Sequence, residues 1–243
     1  MKKTALDRLF SGVDWPPLIP GTLIRRYKRF LADVELKTGE TVTAHCPNSG
    51  KMTESCLPGQ PVYISFHDNP RRKLKYTWEL IQMPGSLVGV NTQVPNRLVA
   101  ESLRAALVPE LAGYDRVRRE VKAGENSRLD ILLTGSNGSR CFVEVKNCTL
   151  VRDGVAAFPD AVTDRGRKHL VTLQELAAAG NRCVMFYLIQ RTDANVFRPA
   201  DEIDPAYGEE LRRAVANGVE VLAWDVAIDL KRIRLRRRVP YRL

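Results

Sequence analysis

No stretch of this 243-residue chain approaches the ~18 consecutive apolar residues that cross a bilayer, which excludes a helical membrane span. The start, MKKTALDRLF, has two lysines but no apolar segment behind them, so it does not read as a secretory leader. Cysteine is scarce: there are five, an odd number in no dense pattern. That excludes a disulfide framework and makes reduced thiols in the cytoplasm the expectation. Zinc spacing is missing as well. His45 and His67 lie far from any second nitrogen or thiolate pattern, and Cys46 and Cys56 have no CxxC partner. Glycine-rich phosphate loops, a GxSxG elbow, a Cys-His signature, internal repeats and low-complexity tracts are all lacking.

What is present is a globular balance, 44% hydrophobic and 27% charged, with a net charge of +10. The excess sits at the two ends. Residues 1–30 hold seven basic and two acidic residues, residues 225–243 hold the same, and the stretch between is balanced. One cluster is Arg25, Arg26, Lys28 and Arg29; the other is Lys231, Arg232, Arg234, Arg236, Arg237 and Arg238. A shorter one, RRKLK, brings Arg71, Arg72, Lys73 and Lys75. Such clusters favour a polyanion, most often nucleic acid; the plainer alternative is solvated faces that aid solubility.

The first third alternates in short stretches, TLIRRY, LADVELK, TVTAHC, PVYISFHD and KYTWELIQM, broken by Gly and Pro. Five short strands predict an OB-like β-barrel over residues 1–83 that binds nucleic acid. Tyr27, Tyr76 and Trp78 would stack on bases if exposed, although strand spacing favours the barrel core. The pattern changes near Pro84-Gly85. PNRLVAESLRAALVPEL predicts a helix with Asn96 as a possible cap, RVRREVKA, RLDILLT and RCFVEVKN three strands, and PDAVTDRGRKHLVTLQELAAAG a helix with Asp160 as a possible cap and Gly180 as stop. NRCVMFYLIQ reads as a buried central strand, followed by a helix ending at Gly218 and the strand VEVLAWDV. The fold class is thus α/β in two domains, with residues 84–243 forming a mixed α/β unit that ends in a basic tail.

The strongest chemistry lies in SRLDILLTGSNGSRCFVEVKN. Asn137-Gly138 is a hairpin signature, and a turn centred on Asn137 sets Asp130 opposite Glu144. Lys146, two residues on, points to the same face. Two close carboxylates repel, and a divalent cation resolves that cost. Oxygen ligands suit Mg²⁺ or Mn²⁺, which activates water and stabilises a phosphoryl transition state, with the ammonium beside it. Asp130 and Glu144 are therefore the expected metal ligands and Lys146 the third catalytic group. Glu120, on the preceding strand, ranks ahead of Glu101 as a further ligand. The plainer alternative is a salt bridge from Lys146 to either acid. Arg165, Lys168 and His169 fall at i, i+3 and i+4 on the next helix, a basic face suited to backbone phosphates.

The helix–three-strand–helix–strand order around Asp130, Glu144 and Lys146 resembles the core of the PD-(D/E)XK nuclease superfamily, with Leu129 in place of the proline. Over nearly its whole length the chain resembles the sugar fermentation stimulation protein A family. The stretches that carry this are LIRRYKRFLADV, TAHCPNSGKM, NPRRKLKYTWEL, VGVNTQVPNRLV, SRLDILL, VEVKNCTL, FPDAVTDRGRKHL and FRPADEIDPAYG. Ser49 and Lys51 depart from the family pattern outside the carboxylate site, and KRIRLRRRVPYRL is more basic than usual. The resemblance implies an OB-like domain joined to a nuclease-like domain, sequence-independent DNA binding, and a regulatory role in sugar (maltose) metabolism. Two functions follow as expectations: a Mg²⁺- or Mn²⁺-dependent DNA nuclease, or a non-catalytic DNA-binding regulator on the same scaffold. A homodimer is also open, because such nucleases often cut duplexes in pairs. A sugar- or protein-binding OB protein is the reading from another class.

Overall fold

The computed structural model describes residues 11–123 and 127–243; the N-terminal stretch read for a leader lies outside them. A two-residue strand, β1 (Val13–Asp14), opens the described chain. Five strands then form the barrel: β2 (Leu18–Tyr27), β3 (Leu31–Leu36), β4 (Thr41–His45), β5 (Pro61–Phe66) and β6 (Tyr76–Met83). They neighbour one another in the order β4-β3-β2-β5-β6, and parallel pairing of β4 with β6 closes the ring. Closure pairs strands that would otherwise be edges able to recruit another chain. Alternate residues Leu23, Val34, Val42, Val62, Ile64 and Trp78 fill the interior. Trp78 is wholly buried and its indole N–H donates to the Leu80 carbonyl at 2.9 Å, so it is core and not a stacking platform. The expected division after residue 83 falls inside a hairpin, because β7 (Ser86–Gly89) pairs back onto β6.

The second unit contains α1 (Val94–Arg104), β8 (Arg116–Ala123), β9 (Ser127–Thr134), β10 (Arg140–Cys148), β11 (Leu150–Arg152), β12 (Val155–Phe158), α2 (Asp164–Ala178), β13 (Arg182–Ile189), β14 (Val196–Pro199), α3 (Pro205–Ala216), β15 (Val219–Ile228) and β16 (Arg232–Arg238). Its main sheet has the order β1-β16-β15-β13-β10-β9-β8, with β10, β13 and β15 parallel. Helix α1 covers one face through Val94, Leu98 and Val99 on Val143, Val184 and Phe186. Helices α2 and α3 cover the other through Leu170, Leu173, Tyr207 and Leu211 on Phe142, Met185 and Tyr187. With both faces covered, the central strand β13 is apolar throughout after Arg182, as its sequence predicted.

Local chemistry explains where expectation and structure differ. Helix α1 stops at Arg104 instead of running to Leu111, and the chain turns at Ala106 with φ +54°. Val108 precedes Pro109 and is therefore kept out of helical conformation. Helix α2 is capped not by Asp160 but by Thr163, whose hydroxyl accepts from the Gly166 N–H at 3.0 Å. Asp160 instead accepts from the Met52 N–H at 3.1 Å and ties the barrel to the second unit. The expected basic tail is an ordered strand, β16, with Ile233 in the core. The small sheet β11-β12-β14 has no counterpart in the sequence reading.

Candidate metal centre and nucleic-acid interface

The β9–β10 hairpin turns where Asn137-Gly138 place it, Gly138 having φ +81°. Its rungs run from Arg140↔Thr134 to Val143↔Ile131, the register that sets Asp130 across from Glu144. At that next position the strands part. The Asp130 carboxylate enters the gap, where Oδ2 accepts the Val145 N–H at 2.8 Å and Oδ1 accepts from the Asn96 side chain at 2.5 Å. Asn96, in the first turns of α1, is a contact the sequence reading missed. The sequence marks it only as a possible cap of that helix, a place that Gln93 takes instead.

Glu144 is 2% exposed. Its Oε1 accepts from Lys146 Nζ at 2.8 Å and meets His169 Nδ1. Its Oε2 is sealed from solvent with no hydrogen-bond partner among the described residues. Lys146 Nζ is also 3.3 Å from His169 Nδ1. A protonated Nδ1 donates to Glu144, and the ammonium then has the carboxylate as its acceptor. Burial alone would raise the Glu144 pKa, but Lys146 and His169 override it and hold the carboxyl below its ordinary value. Asp130 goes the other way. Burial first, then the Glu144 charge, push it up to about 7 against the Val145 N–H and Lys146, with Glu120 adding to the rise.

No three His, Cys, Asp or Glu side chains among the described residues form a ready-made cage. Asp130 and Glu144 are the two acids brought together. Glu120 is exposed and opposes Asp130 at a break in the β8–β9 ladder, where it takes the left-handed φ of +53°. A non-glycine residue there is held by its surroundings and marks a constrained site. Glu101 is turned to Arg104 at 2.9 Å. Two carboxylates with an orphaned inner oxygen fit a hard cation that keeps water and phosphate oxygens as its other ligands, as Mg²⁺ does.

The expected basic face on α2 divides. Arg165 and Lys168 are exposed, but His169 is buried on Glu144, so it is not a phosphate contact; this corrects the sequence reading. The clusters near the chain ends divide too. Arg26 donates to the carbonyls of Arg29, Asn48, Gly50 and Lys51 and holds that loop. Arg25 pairs with Asp33 at 2.8 Å while staying largely exposed. Lys28 and Arg29 are exposed at the β2–β3 turn, both with positive φ. Arg72 donates to Thr77 and Lys75 to the Asn69 carbonyl, leaving Arg71 and Lys73 open. In the C-terminal strand Arg236 and Arg237 both bind the fully buried Asp225, Arg232 binds Asp14, and Arg238 binds Glu110.

A further group of unengaged cations lies at the edge of the main sheet. Arg116, Arg118, Arg119 and Lys122 on the sheet-edge strand β8, with Arg128 beside them on β9, are exposed and have no ion pair or side-chain hydrogen bond among the described residues. Counting charge by segment hid them in a balanced middle, although on β8 itself Glu120 is the one acid among them. They flank Glu120 and Asp130, and so border the carboxylate site.

Two family models match the chain: the SfsA N-terminal OB domain over residues 24–90 and the sugar fermentation stimulation protein RE domain over residues 93–232. A sugar fermentation stimulation protein homolog of Geobacter sulfurreducens is 55% identical over 224 residues, 92% of this chain and 96% of that one. Another, of Geobacter metallireducens, is 56% identical over 225 residues, 92% and 97% of the two chains. The solved structure of Pyrococcus furiosus SfsA in complex with Ca²⁺ superposes with a TM-score of 0.87 at 27% identity, covering 96% of this chain and 100% of that one. With both units matched in order and the whole fold shared, the chain belongs to the sugar fermentation stimulation protein family.

Proposed function

We propose that the protein is a divalent-metal-dependent nuclease that acts on DNA without sequence preference, with Asp130 and Glu144 as its metal ligands and Mg²⁺ or Mn²⁺ as the ion. The observation that carries this is the buried, unpartnered Oε2 of Glu144 set across a parted hairpin from Asp130, a carboxyl pushed up to about 7. A buried acceptor with no donor costs about 1–3 kcal/mol, and a cation satisfies it. The Ca²⁺ complex of the Pyrococcus furiosus relative supports a hard-cation site in this fold. When bound, such an ion supplies Lewis-acid stabilisation of a phosphodiester and an ionised water.

The chain's own groups do the rest. Asn96 and the Val145 N–H orient Asp130. His169 holds Glu144 from the helix side, acting as a positioning residue. Lys146, 12% exposed at its side chain, reaches the surface of the site and neutralises charge developing on the phosphate. The DNA backbone lies along Arg116, Arg118, Arg119, Lys122 and Arg128, which hold phosphates without reading bases. Lys28, Arg29, Arg71, Lys73, Arg165 and Lys168 extend the grip.

Cleavage of end-labelled single- and double-stranded DNA with Mg²⁺ or Mn²⁺ tests the reading. Asp130→Ala and Lys146→Ala should each lower the rate at least 100-fold while leaving DNA affinity in EDTA nearly unchanged; cleavage that persists in both variants refutes the site. The pairing of Glu144 with Lys146 and His169 favours a second reading, a non-catalytic DNA-binding regulator. That reading expects tight binding, no cleavage with either ion, and no stabilisation by Mn²⁺.

A further inference from the structure

Four stretches carry the family resemblance yet contribute little to the carboxylate site: the CPNSG loop after β4, Thr92 before α1, the end of β10, and the FPDAVT segment before α2. They meet at one cleft of about 290 Å³ between the barrel and the second unit. Its volume is about that of one nucleotide, near the lower end of small-molecule sites.

Its lining offers unengaged donors. Arg29 lines it from the β2–β3 turn and has no ion pair or side-chain hydrogen bond among the described residues. Thr149 is 5% exposed, and its hydroxyl has no partner among the described residues. That hydroxyl is not among the atoms sealed from solvent, so its open side is the cleft. Asn147 uses its Oδ1 to accept from Gln190 at 2.8 Å, which leaves its NH₂ as the free end. Ser49 adds an exposed hydroxyl. The one acid in the described lining, Asp160, is engaged by the Met52 N–H and lies against Gly50. A cation, an amide NH₂ and two hydroxyls with one acid already engaged suit a ligand rich in acceptors, as a phosphate is. Phe158 and Val162 supply an apolar wall for a flat ring.

We propose that this cleft binds a nucleoside monophosphate unit, and that in DNA the unit is the phosphate-bearing terminal nucleotide of a strand. The first half stands alone. The second rests on the nuclease reading: Asn147 directly follows Lys146 on β10 but leaves the strand on its other face, so a strand end seated here would pass around the end of β10 to reach the carboxylates.

The test uses the full chain in EDTA, so that metal binding does not contribute. Calorimetry with dAMP, deoxyadenosine and inorganic phosphate reads the cleft. Fluorescence anisotropy with short oligonucleotides ending in 5′-phosphate, 3′-phosphate or hydroxyl reads the strand end. We expect dAMP to bind at least tenfold more tightly than either fragment. Arg29→Ala should weaken it about tenfold or more, and Thr149→Val several-fold, as for a charge-assisted and a neutral hydrogen bond. Thr149→Val removes a hydroxyl with no internal partner, so its melting temperature should not fall, which separates lost binding from lost fold. One phosphorylated end should bind more tightly than the hydroxyl end, and the preference should vanish in Arg29→Ala. Binding of dAMP no tighter than inorganic phosphate, or unchanged in both variants, overturns the cleft. Equal affinity for all three ends overturns the strand-end half. If cleavage is absent while dAMP binding persists, the nuclease reading fails and the cleft stands.

Discussion

Asp130 makes the metal-free protein less stable as pH rises, and replacing it should reverse that. Its carboxyl is pushed from 3.8 to about 7 in the folded chain. A carboxyl raised on folding is held protonated by the native state, so its contribution is fully present below the unfolded value near 4. It is lost as pH climbs through about 7. At ~1.4 kcal/mol per tenfold change in proton affinity, the full loss is about 4 kcal/mol, of which the smaller part has gone by pH 5. Asn mimics the protonated form: its oxygen keeps the Val145 N–H, and its NH₂ faces Asn96 once that amide turns over. In EDTA, Asp130→Asn should therefore gain on the wild type by about 2–3 kcal/mol between pH 5 and pH 8. At ~2–4 °C per kcal/mol for a chain of this size, the gap in Tm should widen by about 5–10 °C. Other titrating groups are common to both proteins and largely cancel. Millimolar Mn²⁺ at pH 8 should stabilise the wild type and not the variant, and so close the gap. Paired thermal melts at pH 5 and pH 8, with and without Mn²⁺, measure this. A Tm difference that stays constant across that pH range would refute the buried, charge-coupled site.

The electrostatic map makes a separate claim. Neutralising Arg119, Lys122 and Arg128 together should flatten the plot of log affinity against log salt by about 0.9 for each duplex phosphate that is no longer neutralised. Neutralising Lys231 and Arg234, away from that edge, should leave it unchanged. Asp225 is fully buried beneath Arg236 and Arg237, whose side chains are 36% and 52% exposed, so Asp225→Ala should cost about 1–3 kcal/mol in a denaturant titration, the loss of charge-assisted hydrogen bonds to guanidinium groups that water can still solvate. At Gly50 a Cβ would overlap the Asp160 carboxylate, so Gly50→Ala should loosen the tie between barrel and second unit. Faster proteolysis between residues 84 and 93 would report it. Burial pushes the Cys141, Cys148 and Cys183 thiols up to about 12, so native protein at pH 8 should give a thiol reagent at most Cys56 promptly, and all five on unfolding.

Much of this molecule follows from short-range chemistry. Period-two alternation and Gly/Pro breaks suffice to read the barrel strands. The apolar run of β13 declares a strand covered on both faces, and an Asn-Gly turn with a two-residue repeat places Glu144 and Lys146 on one face opposite Asp130. Each is set by neighbours within a few residues, so the chain carries it locally. The end of helix α1 is the local exception: Pro109 is there to read, but the apolar stripe continues past the point where the helical backbone can.

What the sequence did not determine depends on partners far along the chain. By sequence His169 is one more cation on a helix face; packing of α2 on β10 turns it onto Glu144, 25 residues away. Arg236 and Arg237 read as free until β16 lays them on Asp225, and the cations of β8 read as balanced until the fold leaves them with no ion pair among the described residues. Net charge by segment counts ions, but binding depends on which ions remain unpaired, and pairing is set by contacts between strands distant in sequence. The cleft belongs to the same class. Its four loops come from both units, and Thr149 acquires a buried hydroxyl facing open space only when they meet.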